Sequence, residues 1–153
     1  MKRSEALKPL SREHHHALFL AKVVRDQKGE GDSRQRFLDF WGEEESIHFR
    51  IEEEVLLPGS NLSGPDEDPE VARMLADHLA IRRGAARVIA DEAGPDELVE
   101  LIDRLHDHVR FEERELFPRI EKDLPEDRLG KLAEAIRQAE IAAGRDPDGT
   151  ALE

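Results

Sequence analysis

Two eleven-residue segments, His48 to Pro58 (HFRIEEEVLLP) and His108 to Pro118 (HVRFEERELFP), lie sixty positions apart and are identical at six positions. Each opens with a histidine followed four residues on by a glutamate: His48 with Glu52, and His108 with Glu112. On a helix that spacing stacks the two side chains one turn apart on one face, where both can reach a single atom. Imidazole and carboxylate so placed are metal-ligand chemistry, and a motif used twice implies a site with two similar halves.

Both pairs interrupt apolar stripes. His48 continues the face of Trp41, Glu44, Ile51 and Val55, and His108 that of Leu101, Leu105 and Phe111. An inward carboxylate is costly unless a cation or a donor meets it. Two further stripes carry a histidine each. His78 lies among Leu75, Ile81 and Ala85, and of the run His14, His15, His16 the first falls on the line of Leu10, Ala17, Leu18 and Ala21. His15 is the alternative, because a phase error of about 100° would exchange the two. Asp77 and His78 mirror Glu13 and His14.

The candidate set is therefore His14, His48, Glu52, His78, His108 and Glu112. If both glutamates bridge, two metals receive about four protein ligands each, and an oxo or hydroxo bridge leaves about one open position on each. Mixed nitrogen and oxygen ligation with open positions suits iron, then manganese, and disfavours a closed structural zinc site, with zinc kept as a substitute. Glu53 and Glu113 are candidates for an outer layer around the ligands. A ferritin-like scheme built on Glu13 with His16 and Glu45 with His48 would leave His78, His108 and the repeat unexplained.

The elements that must position these residues are helices. Charged residues make up 39% of the chain and aromatic ones 5%, which suits amphipathic helices better than a β-rich domain. Apolar residues recur at helical spacing in four long blocks, predicted over about 11–28, 32–57, 69–93 and 95–118, with Ser11 as N-cap of the first and Pro69 in the first turn of the third. A shorter fifth segment, 125–143, lies across them, and residues 144–153 read as a disordered tail after a domain of 1–143. The fold class is all-α, an up-down-up-down four-helix bundle with a short additional C-terminal helix.

The net charge of −13 argues against nucleic acid as a partner. With no cysteine there are no disulfides, thiolate sites or cysteine nucleophiles, and with no tyrosine there is no phenolate ligand. No signal-like or membrane-spanning stretch is present, so a cytoplasmic protein is expected.

The doubled H-x-x-x-E-E-x-x-L-[LF]-P pattern resembles the hemerythrin-like, HHE cation-binding domains, over about residues 10 to 122. The resemblance implies a four-helix bundle around a non-haem di-iron centre. Carried over, the helix-one histidine falls on His14, the helix-two pair on His48 and Glu52, the helix-three histidine on His78, and the helix-four pair on His108 and Glu112. Oxygen-carrying hemerythrins have a second histidine one turn after the first in helix three, where this chain has Arg82, and place the helix-four carboxylate where it has Glu113. The set thus resembles the four-histidine, two-glutamate branch, which includes iron-sulfur-centre repair proteins and iron or oxygen sensors. The accessory cysteine-bearing segment of the repair proteins is absent.

The expected function is a di-iron protein that binds or reacts with a small diatomic or peroxide (O2, NO or H2O2) in sensing or in protection of iron centres. Reversible oxygen or iron storage, and an interaction module whose metal is structural, are the alternatives. The chain carries no output domain, which favours a stand-alone binding or stress-response role. No general base, nucleophile or substrate pocket can be named beyond the metal, so no enzymatic reaction is assigned.

Overall fold

The computed structural model describes residues 2–149, and among them every regular element is helical. Helix α1 is Lys8–Asp26 and α3 is Pro69–Ile89. Helices α2 and α4 are long and composite. The former runs over 33–59 with π turns at Trp41–Glu45 and Glu52–Leu56, and the latter over 95–123 with a π turn at Glu112–Leu116. Helix α5 is Glu126–Ala142 and packs on the second half of α2. No helix among the described residues is long and apolar enough to cross a membrane.

Burial gives the chain direction. One apolar cluster holds Ala17 to Val24 of α1, Phe37 to Phe49 of α2, Ile81 to Val88 of α3 and Leu98 to Val109 of α4. The other holds Leu7 and Leu10, Ile51 and Leu56, Met74, and Phe111 to Ile120, closed by Leu132 and Ile136 of α5. Successive helices enter the two clusters in opposite order, which is the up-down-up-down bundle expected. In every helix the candidate ligand falls where the chain passes from one cluster to the other.

Local chemistry sets the helix ends. The α1–α2 turn uses Gly29 at φ 75°, and a Cβ there would sit 2.3 Å from the Pro95 carbonyl oxygen, so only glycine allows this loop to rest on the start of α4. Asp68 caps α3 by accepting from the Glu70 and Val71 amides at 3.0 and 3.3 Å, with Pro69 in the first turn. Arg119 of α4 pairs with the same Asp68 carboxylate and ties the foot of α3 to that of α4.

Three boundaries differ from the sequence expectation by three residues or more. Helix α1 begins at Lys8 with Pro9 in its first turn, so Ser11 is an interior residue whose hydroxyl donates to Glu113 at 2.7 Å instead of capping. Helix α3 stops at Ile89, where Asp91 turns the chain at φ 59°. Helix α4 continues past Pro118 to Asp123. A proline lacks the N–H for the helical ladder and its ring crowds the carbonyl four residues back. Pro58 and Pro118 each come two residues after a widened π turn, where that ladder has already shifted to bonds such as Leu57 N–H to Glu52 C=O.

Residues 144–149, read from composition as the start of a disordered tail, make defined contacts: Arg145 reaches Glu13 and Glu140 at 2.9 and 3.2 Å, and Arg12 donates to the Pro147 carbonyl at 2.9 Å. Residues 150–153 lie outside the described residues.

Candidate metal centre

At the junction of the two clusters, α1 contributes His14, α2 His48 and Glu52, α3 His78, and α4 His108 and Glu112, all of them buried. Their donor atoms fall into two groups, His14, His48, Glu52 and Glu112, and His78, His108, Glu52 and Glu112, with every atom of a group within 4.8 Å of the others. The Nε2 atoms of His14 and His48 are 3.1 Å apart, and those of His78 and His108 are 3.2 Å apart.

The two glutamates span both groups. Glu52 places Oε2 2.9 Å from His48 Nε2 and Oε1 3.1 Å from His78 Nε2. Glu112 places Oε1 2.9 Å from His14 Nε2 and Oε2 3.1 Å from His108 Nε2. Each carboxylate thus offers one oxygen to each histidine pair, the arrangement of a bridging ligand.

These atoms fit cations on chemical grounds. Both oxygens of Glu52 and Oε2 of Glu112 are buried without a hydrogen-bond partner, a costly state for carboxylates this deep. The convergent donors are imidazole nitrogens and carboxylate oxygens, a set that takes iron, manganese or zinc.

Behind the first layer lies a second, which fixes the ring orientations. With Nε2 turned inward to the convergent groups, each Nδ1–H donates outward to a carboxylate: His14 to Glu113 at 2.6 Å, His48 to Glu13 at 2.7 Å, His78 to Glu53 at 2.6 Å and His108 to Asp77 at 3.0 Å. Such partners set the tautomer and raise the basicity of the ligand. Arginines then face the carboxylates. Arg82 holds Glu53 through two bonds at 2.7 and 3.1 Å, Arg3 pairs with Glu113 at 3.1 Å, Arg145 with Glu13 at 2.9 Å, and Arg73 lies 3.7 Å from Asp77. Two of these rings are also packed against phenyl groups, His78 stacking on Phe49 with centroids 3.8 Å apart and His14 on Phe117 at 5.2 Å.

Several alternatives separate here. His15 and His16 are exposed and His106 lies beside Asp107, so none joins the convergent groups. Glu113 stands behind His14, away from the Nε2 atoms. Glu13 occupies the same outer position behind His48, which removes the ferritin-like scheme. Glu53 and Glu113 stand in the outer layer the sequence suggested for them, whereas Glu13 and Asp77 escaped that reading, although a signal was there: all four are each the immediate neighbour of an inward residue. For the π turns at Glu52 and Glu112 the signal is a proline six residues after each glutamate.

The electrostatics describe what protons do in this cage. Burial works against an imidazolium at His78, yet contacts with Glu112, Glu52 and Glu53 outweigh it and lift the group to about 11. His14, His48 and His108 are raised by the same balance of burial against carboxylates. Burial likewise opposes ionisation of Glu53 and Glu113, but the hydrogen bonds from His78 and Arg82 to the one, and from His14 to the other, hold both at about 2.

The signs follow. Raised histidines stabilise the metal-free fold fully below about pH 6.5 and lose that contribution as pH rises through their folded values. Depressed carboxylates contribute above about pH 4.5 and lose it as pH falls towards about 2. The metal-free chain should therefore melt higher at pH 6 than at pH 9, and metal uptake at neutral pH should expel protons from the imidazoles. Thermal melts of stripped protein and calorimetric titration in buffers of different ionisation enthalpy check this. A metal-free melting temperature that climbs from pH 6 to 9 would contradict it.

No curated protein and no solved structure matches the chain significantly. The model of the hemerythrin HHE cation-binding domain matches residues 6–120, three quarters of the chain, which takes in all six convergent residues. With this match and two buried histidine–glutamate groups at the heart of a four-helix bundle, the chain is a metal-binding protein that belongs to the hemerythrin HHE cation-binding domain family.

Proposed function

We propose that His14, His48, Glu52, His78, His108 and Glu112 hold a non-haem di-iron centre, oxo- or hydroxo-bridged, that takes a small diatomic or peroxide in sensing or in protection of iron centres. The observation that carries this reading is the placement of Glu52 and Glu112, each with one oxygen towards either histidine pair at 2.9 to 3.1 Å. When bound, iron supplies Lewis acidity and redox reactivity towards such molecules. The chain supplies the rest.

Glu53, Glu113, Glu13 and Asp77 orient the rings and balance charge, and Arg82, Arg3 and Arg145 pair with the first three of them. Arg82 stands where oxygen carriers have a histidine, and here it grips Glu53, so the His78 half keeps a single histidine from α3. Four histidines and two bridging carboxylates leave room for an exogenous ligand on the metals, and the apolar clusters above and below exclude bulk water.

Metal analysis of protein made in iron-replete cells, with absorption spectra before and after oxygen, peroxide and nitric oxide, tests the proposal. Roughly two irons per chain and a spectral response to at least one of these molecules are expected. One tetrahedral zinc per chain, or a loaded protein inert to all three, would overturn it.

A further inference from the structure

The arginines that face the outer carboxylates divide by half of the centre. In the His78/His108 half they belong to the bundle: Arg82 and Arg73 both stand on α3, one gripping Glu53 and the other 3.7 Å from Asp77. In the His14/His48 half they come from outside the four helices, Arg3 from the segment before α1 and Arg145 from the segment after α5. Both lie beyond residues 6–120, the span that the family model matches.

Each of these two arms supports one histidine. Arg3 donates to the Glu113 carboxylate at 3.1 Å and to the Glu113 carbonyl at 2.9 Å, and its guanidinium lies 5.5 Å from the ring of Phe117, on which His14 stacks. Glu121 of α4 holds that arm in place, accepting from Arg3 at 2.7 Å and from the Ser4 amide. Arg145 pairs with Glu13, behind His48, at 2.9 Å and with Glu140 at 3.2 Å, and donates to the Glu44 carbonyl at 3.0 Å, within the π turn that precedes His48. Glu13 and Glu140 are neighbours buried at 6% and 1% exposure, and Arg145 is the cation they share. Removing one partner of a buried ion pair is strongly destabilising, so Glu13 holds its place behind His48 because Arg145 is there.

The six convergent residues are exposed by 1% or less, and a metal site so enclosed needs an entry path. Resting on the di-iron reading, we propose that Arg3 and Arg145 form a two-armed latch on the His14/His48 half, fixing its rings and controlling exchange of the metal held there. Lifting the two flanking segments frees Glu113 and Glu13, and with them the rings of His14 and His48, without parting any two helices of the bundle. The partners of Glu53 and Asp77 ride on α3, which is packed along α4. The two metal positions therefore differ in lability, one governed by the flanking segments and the other by α3.

The test is release of iron from the full-length, loaded protein, reduced with dithionite and mixed with a ferrous chelator, in native form and as Arg3→Gln, Arg145→Gln and Arg82→Gln. Glutamine keeps a donor but removes the charge and the planar fork. Loss of an outer partner weakens metal binding by roughly 10- to 100-fold, so in Arg3→Gln and in Arg145→Gln one of the two irons should leave about tenfold faster or more, while the other stays within about threefold of its native rate. Two double variants assign the halves. Arg3→Gln combined with Arg145→Gln should still speed one iron, whereas Arg82→Gln combined with Arg145→Gln should speed both. A merely structural role would not divide the irons in this way, since unfolding releases them together.

Native release rates in either Arg3→Gln or Arg145→Gln, or both irons lost or accelerated together in them, would overturn the latch and leave the di-iron reading standing. Two fast irons in Arg3→Gln combined with Arg145→Gln would do the same. A native chain that takes up no iron would overturn the di-iron reading itself, and this inference with it.

Discussion

Glu112→Ala is expected to lose both metal ions together, falling from roughly two per chain to none. The reason is geometric. Glu112 lies 2.9 Å from His14 Nε2 through one oxygen and 3.1 Å from His108 Nε2 through the other, so its removal takes a donor from each half and the bridge between them. Glu52→Ala should behave alike, since its oxygens divide between His48 and His78 in the same manner. His16→Ala and His106→Ala should keep full stoichiometry, because neither ring joins the convergent groups. Metal analysis after extensive dialysis reads all four variants. One ion retained at full occupancy in Glu112→Ala would show that the carboxylate serves one metal only.

The second large effect is on stability. Six buried residues converge on the metal positions, and without cations the acid oxygens and ring nitrogens are left facing one another. A ligand held at a thousand times its dissociation constant stabilises the native state by about 4 kcal/mol, so two such ions give about 8 kcal/mol. For a chain of this length each kcal/mol moves the midpoint by about 2 to 4 °C, and stripping should lower the melting temperature on the order of 20 °C at neutral pH. Calorimetry of loaded and chelator-treated protein measures it. Equal midpoints would place the bound metal outside the core.

Much of this arrangement was legible in the sequence because metal ligation imposes its own spacing. His48 with Glu52 and His108 with Glu112 had to recur at four residues to share a helix face, and the stripes around His14 and His78 gave the other two helices their phase. Boundaries were harder where side chains had other employment. Ser11 has the chemistry of a cap, but its hydroxyl is committed to Glu113, a hundred residues away, and no local pattern signals that. Pro118 reads as a helix end unless the π turn before it is known. Arg3 and Arg145 approach the outer carboxylates from the two ends of the described chain, a pairing that only tertiary structure creates. Glu45 closes a run of three acids, and the π turn that carries it inward departs from the regular helical period, so periodicity alone does not signal its burial.

The band of histidines and glutamates crosses all four helices at one height, with apolar clusters on either side. Leucines, valines and alanines are poor keepers of axial position, since a helix that slides one turn against its neighbours, about 6 Å over four residues, still meets apolar partners. The polar band removes that freedom. Sliding α4 by one turn would carry Glu112 to the height of His108 and set an unpaired carboxylate against aliphatic side chains, while Glu113 and Asp77 lost their imidazoles. The centre thus acts as a vernier for the bundle, specifying helix registry before any metal or small molecule arrives.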